Sequence, residues 1–231
     1  MDYILEGFIE AFKLIFSGNT EVYEVILTSL LVSVTSVIIA TIISMPIGIY
    51  LGIKSFAGKG VFTRILYTLM GIPPVVMGLM VYLFLVRRGP LGHLRIDFSV
   101  EGMIIAQTLL ILPIIMGNIF NSSKAHGELI RQSCKTLGAS KIQTLFMLIK
   151  ELRVYILIAV VTGFGRAISE VGAVMLVGGN IKGKTRVMTT FIALNNSMGN
   201  YAKSIAMAII LLTLAFAVNG FIYKYIGDSD D

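Results

Sequence analysis

Four stretches of the chain carry no Asp, Glu, Lys or Arg: residues 25–53, 65–86, 102–123 and 204–223. Each reaches the roughly 20 residues that a helix needs to cross ~30 Å of hydrocarbon. A fifth stretch, 154–181, is apolar except for Arg166 and Glu170, four residues apart near its middle. Uninterrupted apolar runs suit helices, which satisfy their backbone groups internally, whereas the strands of a membrane barrel alternate in polarity. The pattern predicts an all-α, polytopic membrane protein with five transmembrane helices.

Proline and glycine mark where these spans should bend: Pro46 with Gly48 and Gly52 in the first, Pro73 and Pro74 in the second, Pro113 in the third. Gly48 and Gly52 form a G-x-x-x-G pair, which either permits close helix contact or serves a gating movement. Residues 1–20 read as an amphipathic segment lying on the membrane surface, with Ile4, Leu5, Phe8, Ile9, Phe12 and Phe16 on one helical face. A disordered start is the alternative. Residues 1–17 are acidic and lack a basic n-region, so no cleavable signal is expected. Residues 21–226 form the membrane domain, and 227–231 are a short acidic tail.

Between the third and fifth stretches, residues 124–153 are too polar to cross lipid and too periodic for a plain loop. Two short helices are expected here. In the first, Ile130, Cys134 and Leu137 share a face, and Gly138 supplies the left-handed position that commonly stops a helix. In the second, Ser140 followed by Gln143 is a capping-box pattern, and Ile142, Leu145, Phe146, Ile149 and Leu152 follow at helical spacing.

Composition agrees with a bilayer: 56% of residues are hydrophobic and only 14% charged, and the mean hydropathy is +0.86. The net charge of +6 would suggest nucleic acid in a soluble protein, but here the basic residues flank spans, where lipid headgroups account for them. Lys13 stands alone before the first span against Lys54, Lys59 and Arg64 after it. The positive-inside rule then puts the N-terminus outside and the C-terminus in the cytoplasm, with 124–153 cytoplasmic. Cys134 is the only cysteine, and His93 and His126 show no metal-ligand spacing, so neither an internal disulfide nor a metal or other cofactor site is expected.

The string Gln132-Ser133-Cys134-Lys135-Thr136-Leu137-Gly138-Ala139-Ser140 resembles the E-A-A-x-x-x-G coupling motif of bacterial and archaeal ABC importer permeases. Gln132 replaces the Glu, Ser133 and Cys134 replace the two Ala, and Leu148, Lys150 and Glu151 depart from the downstream I-x-L-P. Gly165-Arg166-Ala167-Ile168-Ser169-Glu170-Val171-Gly172-Ala173, Gly178-Gly179-Asn180-Ile181 and Thr185-Arg186-Val187-Met188-Thr189-Thr190 resemble the molybdate, sulfate and tungstate permease group, and the tungstate permeases most. Ile72-Pro73-Pro74-Val75-Val76-Met77-Gly78-Leu79 and Arg88-Gly89-Pro90-Leu91-Gly92 agree with it.

The resemblance implies the type I ABC importer (MetI-like) permease fold in a cell membrane. It implies transport of an oxyanion, tungstate first, with molybdate, sulfate or phosphate as alternatives. Implied partners are a second copy of the chain, cytoplasmic ATPase subunits that dock on the coupling loop, and an extracytoplasmic binding protein that selects the anion. The chain itself would not be an enzyme. Coupling would fall to Gln132, Ser133, Cys134, Leu137, Gly138, Ala139 and Ser140.

Two charges inside a span are costly in lipid unless paired or facing a polar interior, and one helical turn lets Arg166 and Glu170 meet. Either the pair only locks the helix, or Arg166, with Ser169 beside it, lies near the anion path and Glu170 restrains it. Arg87, Arg88, Lys182, Lys184 and Arg186 stand on the predicted outer side, opposed only by Asp97 and Glu101. They would attract an arriving anion or dock the binding protein.

Residues 178–185 fit G-x-x-x-x-G-K-[ST] letter for letter, yet follow a membrane span rather than a strand, and Asp228, Asp230 and Asp231 at the tail cannot supply a Mg²⁺ aspartate. They do not read as a nucleotide site. A secondary transporter or channel without an ATPase is the competing class; the absence of a carboxylate relay in the spans speaks against it.

Overall fold

Small residues recur along one side of the first apolar stretch, and they decide how the bundle is built. The computed structural model describes residues 2–16 and 20–227. In it the stretch is helix α2, Thr20–Ile53, at 34 residues about 51 Å long and so longer than the hydrocarbon layer. Ser29, Ser33, Ser36, Ala40, Ser44, Gly48 and Gly52 are buried along it. Its main neighbour is α5, Val100–Thr136. A Cβ on Gly52 would lie 2.7 Å from the Ser123 Cβ and 2.8 Å from the Phe120 carbonyl oxygen, and one on Gly48 would lie 3.0 Å from Ile119. Of the two readings of this glycine pair, close helix contact is the one the packing displays.

The α2–α5 seam is also hydrogen bonded. Ser36 Oγ donates to the Ile104 carbonyl at 3.2 Å, and Ser44 Oγ donates to that of Leu112 at 3.1 Å. Both helices continue through their prolines, Pro46 and Pro113.

Two of the five expected spans are broken. Residues 65–86 divide into α3, Lys59–Met70, and α4, Pro74–Leu85, bent by 95°. Consecutive prolines explain the break: Ile72 and Pro73 each precede a proline, which disfavours helical backbone, and Pro73 is extended (φ −61°, ψ 129°). Residues 154–181 divide into α7, Arg153–Ile168, and α8, Gly172–Gly178, bent by 57°. α4 packs on α8 with Gly78 so close to Ala173 that a Cβ would meet its Cα at 2.5 Å. Among the described residues three helices qualify as spans by length and apolarity, and up to five when each bent pair counts as one.

Residues 124–153 differ from the expected pair of short helices. α5 does not stop at the polar boundary but runs unbroken to Thr136, 37 residues in all. Helical periodicity persists where hydropathy changes, and Gly127 lets the helix pass against Ile53. Only the second helix, α6, Lys141–Glu151, is short and separate.

The N-terminal segment is helical: α1, Asp2–Phe16, lies along α10, Tyr201–Gly227, with Gly7 against Ile205. Leu5, Phe8, Ile9 and Phe12 face outward; the side chains of Ile4 and Phe16, and the tail at 228–231, fall outside the described residues. A helix absent from the sequence reading, α9, Met188–Ser197, packs on α10. The main core joins α2, α5, α7, α9 and α10 through residues such as Ile111, Ile115, Ala159 and Met207.

Candidate functional site

Three neighbourhoods carry the residues singled out in the sequence. At one end of the bundle, α5 closes with the Gly138 N–H donating to the Lys135 carbonyl at 3.1 Å and the Ala139 N–H donating to that of Cys134 at 3.0 Å. This is the Schellman arrangement. Gly138 is left-handed, φ +74°, with open space where a Cβ would stand, so backbone conformation rather than crowding calls for glycine. α6 starts on a reciprocal cap: the Gln143 N–H donates to Ser140 Oγ, and the Ser140 N–H donates to Gln143 Oε1.

From this turn, Leu148 and Leu152 are buried in the core, and Cys134 is buried too. Leu137 is 86% exposed, and Ile142 and Phe146 are each 69% exposed. The apolar positions of α6 thus serve two surfaces, one inward and one outward. Gln132 donates to Glu128 Oε1 at 2.9 Å, beside the Arg131–Glu128 ion pair, and Ser133 Oγ donates to the Leu129 carbonyl.

The second neighbourhood is the α7–α8 break. Arg166 Nη1 meets Glu170 Oε2 at 2.8 Å; the arginine side chain is 33% exposed and the glutamate 2%. The pair does not lie within one continuous helix, because α7 ends at Ile168. Instead it straddles the break. Glu170 Oε1 accepts the Ala173 N–H at 3.0 Å, in the first turn of α8, where a carboxylate satisfies an otherwise unpaired amide. Ser169 is exposed and its Oγ donates to the Gly165 carbonyl at 2.8 Å. Thr189 Oγ1 donates to the Glu170 carbonyl, and Gln107 Nε2 donates to that of Ala167.

The third neighbourhood is at the opposite end, where α2 begins. Glu21 receives Lys182 Nζ at 2.7 Å and Arg186 Nη1 at 3.1 Å. Arg186 Nε also donates to Asn180 Oδ1 at 3.1 Å. Counting only Asp97 and Glu101 as opposing charges therefore missed Glu21. It stands with Glu24 just ahead of the first charge-free run, but nothing local tied it to Arg186, 165 residues downstream. Lys184, Arg87 and Arg88 are exposed. In the P-loop look-alike, the Thr185 hydroxyl is buried, donates to the Gly178 carbonyl and accepts the Ile181 N–H. That hydroxyl closes a loop on a helix end. Among the described residues no three His, Cys, Asp or Glu side chains gather as a metal site.

The family model described as binding-protein-dependent transport system inner membrane component matches residues 44–226, from the last third of α2 to the last turn of α10. The chain belongs to this family. The permease is 49% identical to the tungstate uptake system permease protein TupB of Peptoclostridium acidaminophilum, over 97% of this chain and 98% of that one. It is 36% identical to the TupB of Campylobacter jejuni, over 97% of this chain and 94% of that one. More distantly it is 27% identical to the molybdenum transport system permease protein ModB of Azotobacter vinelandii, over 83% and 88% of the respective chains.

It is a multi-pass membrane protein and a transport subunit, with the all-helical permease fold of this family. Chemically, the permease offers an exposed apolar surface at one end, a paired arginine at a helix break, and a basic rim at the other end.

Proposed function

We propose that this permease forms the membrane pathway of an ATP-driven importer for tungstate. The observation that carries the reading is the match to a tungstate uptake permease along nearly the whole of both chains, at 49% identity. A separate ATPase subunit docks on the surface formed by Leu137, Ile142 and Phe146, whose exposed apolar side chains suit burial in a protein cleft. The turn from Gln132 to Ser140 holds that surface, and Gly138 sets its angle.

Two copies of the chain enclose the path, since one copy presents a single docking surface and leaves apolar faces outward on α2 and α4, among them Leu27, Leu31, Leu79 and Leu83. The remaining outward apolar surface meets lipid. The N-terminus lies outside and the C-terminus in the cytoplasm, which sets the docking surface on the ATPase side. An extracytoplasmic binding protein delivers the anion at the other end, where Arg87, Arg88, Lys182, Lys184 and Arg186 supply positive potential or contacts for it.

At the α7–α8 break, Arg166 keeps one third of its side chain exposed while holding Glu170. It lends positive charge to the path, and Glu170 keeps it from trapping a dianion. Purification of the tagged permease from its native membrane tests the reading. Co-purification of an ATPase whose activity rises with tungstate-loaded binding protein, more than with molybdate or sulfate, is the expected result. A permease that purifies without any ATPase contradicts it.

A further inference from the structure

The α7–α8 break is held from two sides by side chains of other helices. Gln107 of α5 donates through Nε2 to the Ala167 carbonyl, in the last turn of α7. Thr189 of α9 donates through Oγ1 to the Glu170 carbonyl at 2.7 Å. Both side chains are buried. Each bond ends on a carbonyl at or just past the end of α7, where the regular helical ladder stops, so the two together fix the course of the backbone through the break.

The two holders lead to opposite ends of the bundle. From Gln107, α5 runs without interruption to Thr136 and the Gly138 turn. From Thr189, the chain leads back through Met188, whose N–H donates to Ser29 Oγ at 2.7 Å, to the loop that Glu21 grips by Lys182 and Arg186. Among the described residues Gln107 Oε1 meets no hydrogen-bond donor, although the residue is 1% exposed. An unmet buried acceptor is unfavourable. It gives this joint a further bond to form when the chain through it shifts.

We propose that Gln107 and Thr189 are positioning residues that couple movement at the α6 end of the permease to movement of the Glu21-bound loop through the α7–α8 break. Neither need touch the anion. A break held by side-chain bonds rather than by a continuous helical ladder can adopt discrete arrangements, and each end biases the choice. The proposal rests on the reading of the chain as an ATP-driven permease.

The test uses the complete complex of permease, ATPase and binding protein in proteoliposomes, with tungstate uptake and ATP hydrolysis measured together. In Thr189→Val, which keeps the shape and removes the donor, uptake per ATP hydrolysed falls about tenfold while basal hydrolysis persists, and Thr189→Ser restores the ratio. Gln107→Met, of similar volume, lowers the same ratio and decides the matter should the Val variant fail to assemble. A ratio equal to wild type in an assembled Val or Met variant overturns the proposal, as does a proportional fall in uptake and hydrolysis, which marks mere loss of folded complex. A wild-type complex that hydrolyses ATP but moves no tungstate contradicts the functional reading instead.

Discussion

Glu170 divides its carboxylate between Arg166, at 2.8 Å, and the Ala173 N–H that opens α8, at 3.0 Å. One side chain thus neutralises a charge and caps a helix across the same break. A carboxylate 2% exposed is tolerable in this setting only because both oxygens are engaged.

Removing one member of the pair should therefore be worse than removing both. Arg166→Met leaves Glu170 buried without its cation, at a cost of about 3–5 kcal/mol, and Glu170→Leu strands the arginine. The double variant Arg166→Met, Glu170→Leu should regain most of the thermal stability in detergent yet take up tungstate poorly. Full uptake by the double variant removes the path role and leaves a structural lock.

Gly138→Val forces a branched side chain into left-handed backbone at a cost of roughly 1 kcal/mol or more. Among the described residues no neighbouring atom stands within 4 Å of the added Cβ, so the strain is local and redirects α6. Membrane insertion should persist while ATPase co-purification weakens. Unchanged co-purification and anion-stimulated hydrolysis would count against this role.

The seam between α2 and α5 makes a contrasting forecast. At Gly52 an added Cβ meets backbone, the Phe120 carbonyl oxygen at 2.8 Å, so Gly52→Ala should separate the helices and destabilise the protein by about 1–3 kcal/mol. Gly165→Ala, where nothing among the described residues stands within 4 Å, should cost nothing measurable. Thermal unfolding of the two variants side by side checks the difference; equal midpoints refute the close-contact role.

Glu21→Gln releases two cations at once. Both partners are partly exposed, so stability should change by no more than about 1 kcal/mol. The loop at 179–187 should loosen, which limited proteolysis of the purified protein would detect as faster cleavage there. Wild-type resistance in the variant would show that the loop holds without Glu21, through Thr185 and the Arg186–Asn180 bond.

Much of this is legible in the sequence, wherever local chemistry decides the outcome. The charge-free runs marked the spans, Gly138 and the Ser140/Gln143 cap marked the turn into α6, and Gly48 with Gly52 marked a close helix contact. Features set by distant partners were not legible. Nothing near Glu21 announces Lys182 or Arg186. Pro73 and Pro74 signalled a bend, but its 95° angle belongs with the packing of Gly78 on Ala173. The length of α5 was hidden because hydropathy falls after Ser123 while helical periodicity continues. Arg166 and Glu170 were correctly paired by spacing, yet the break between them depends on a capping bond to Ala173 and on Thr189, a residue of a helix that the sequence did not reveal.

The most direct measurement is uptake of labelled tungstate into proteoliposomes that hold the permease with its ATPase and a loaded binding protein, with and without ATP. The account predicts accumulation that requires ATP and the ATPase subunit and that falls when α6 is uncoupled by Gly138→Val. Accumulation by the permease alone, driven by an ion gradient without ATP, would contradict it.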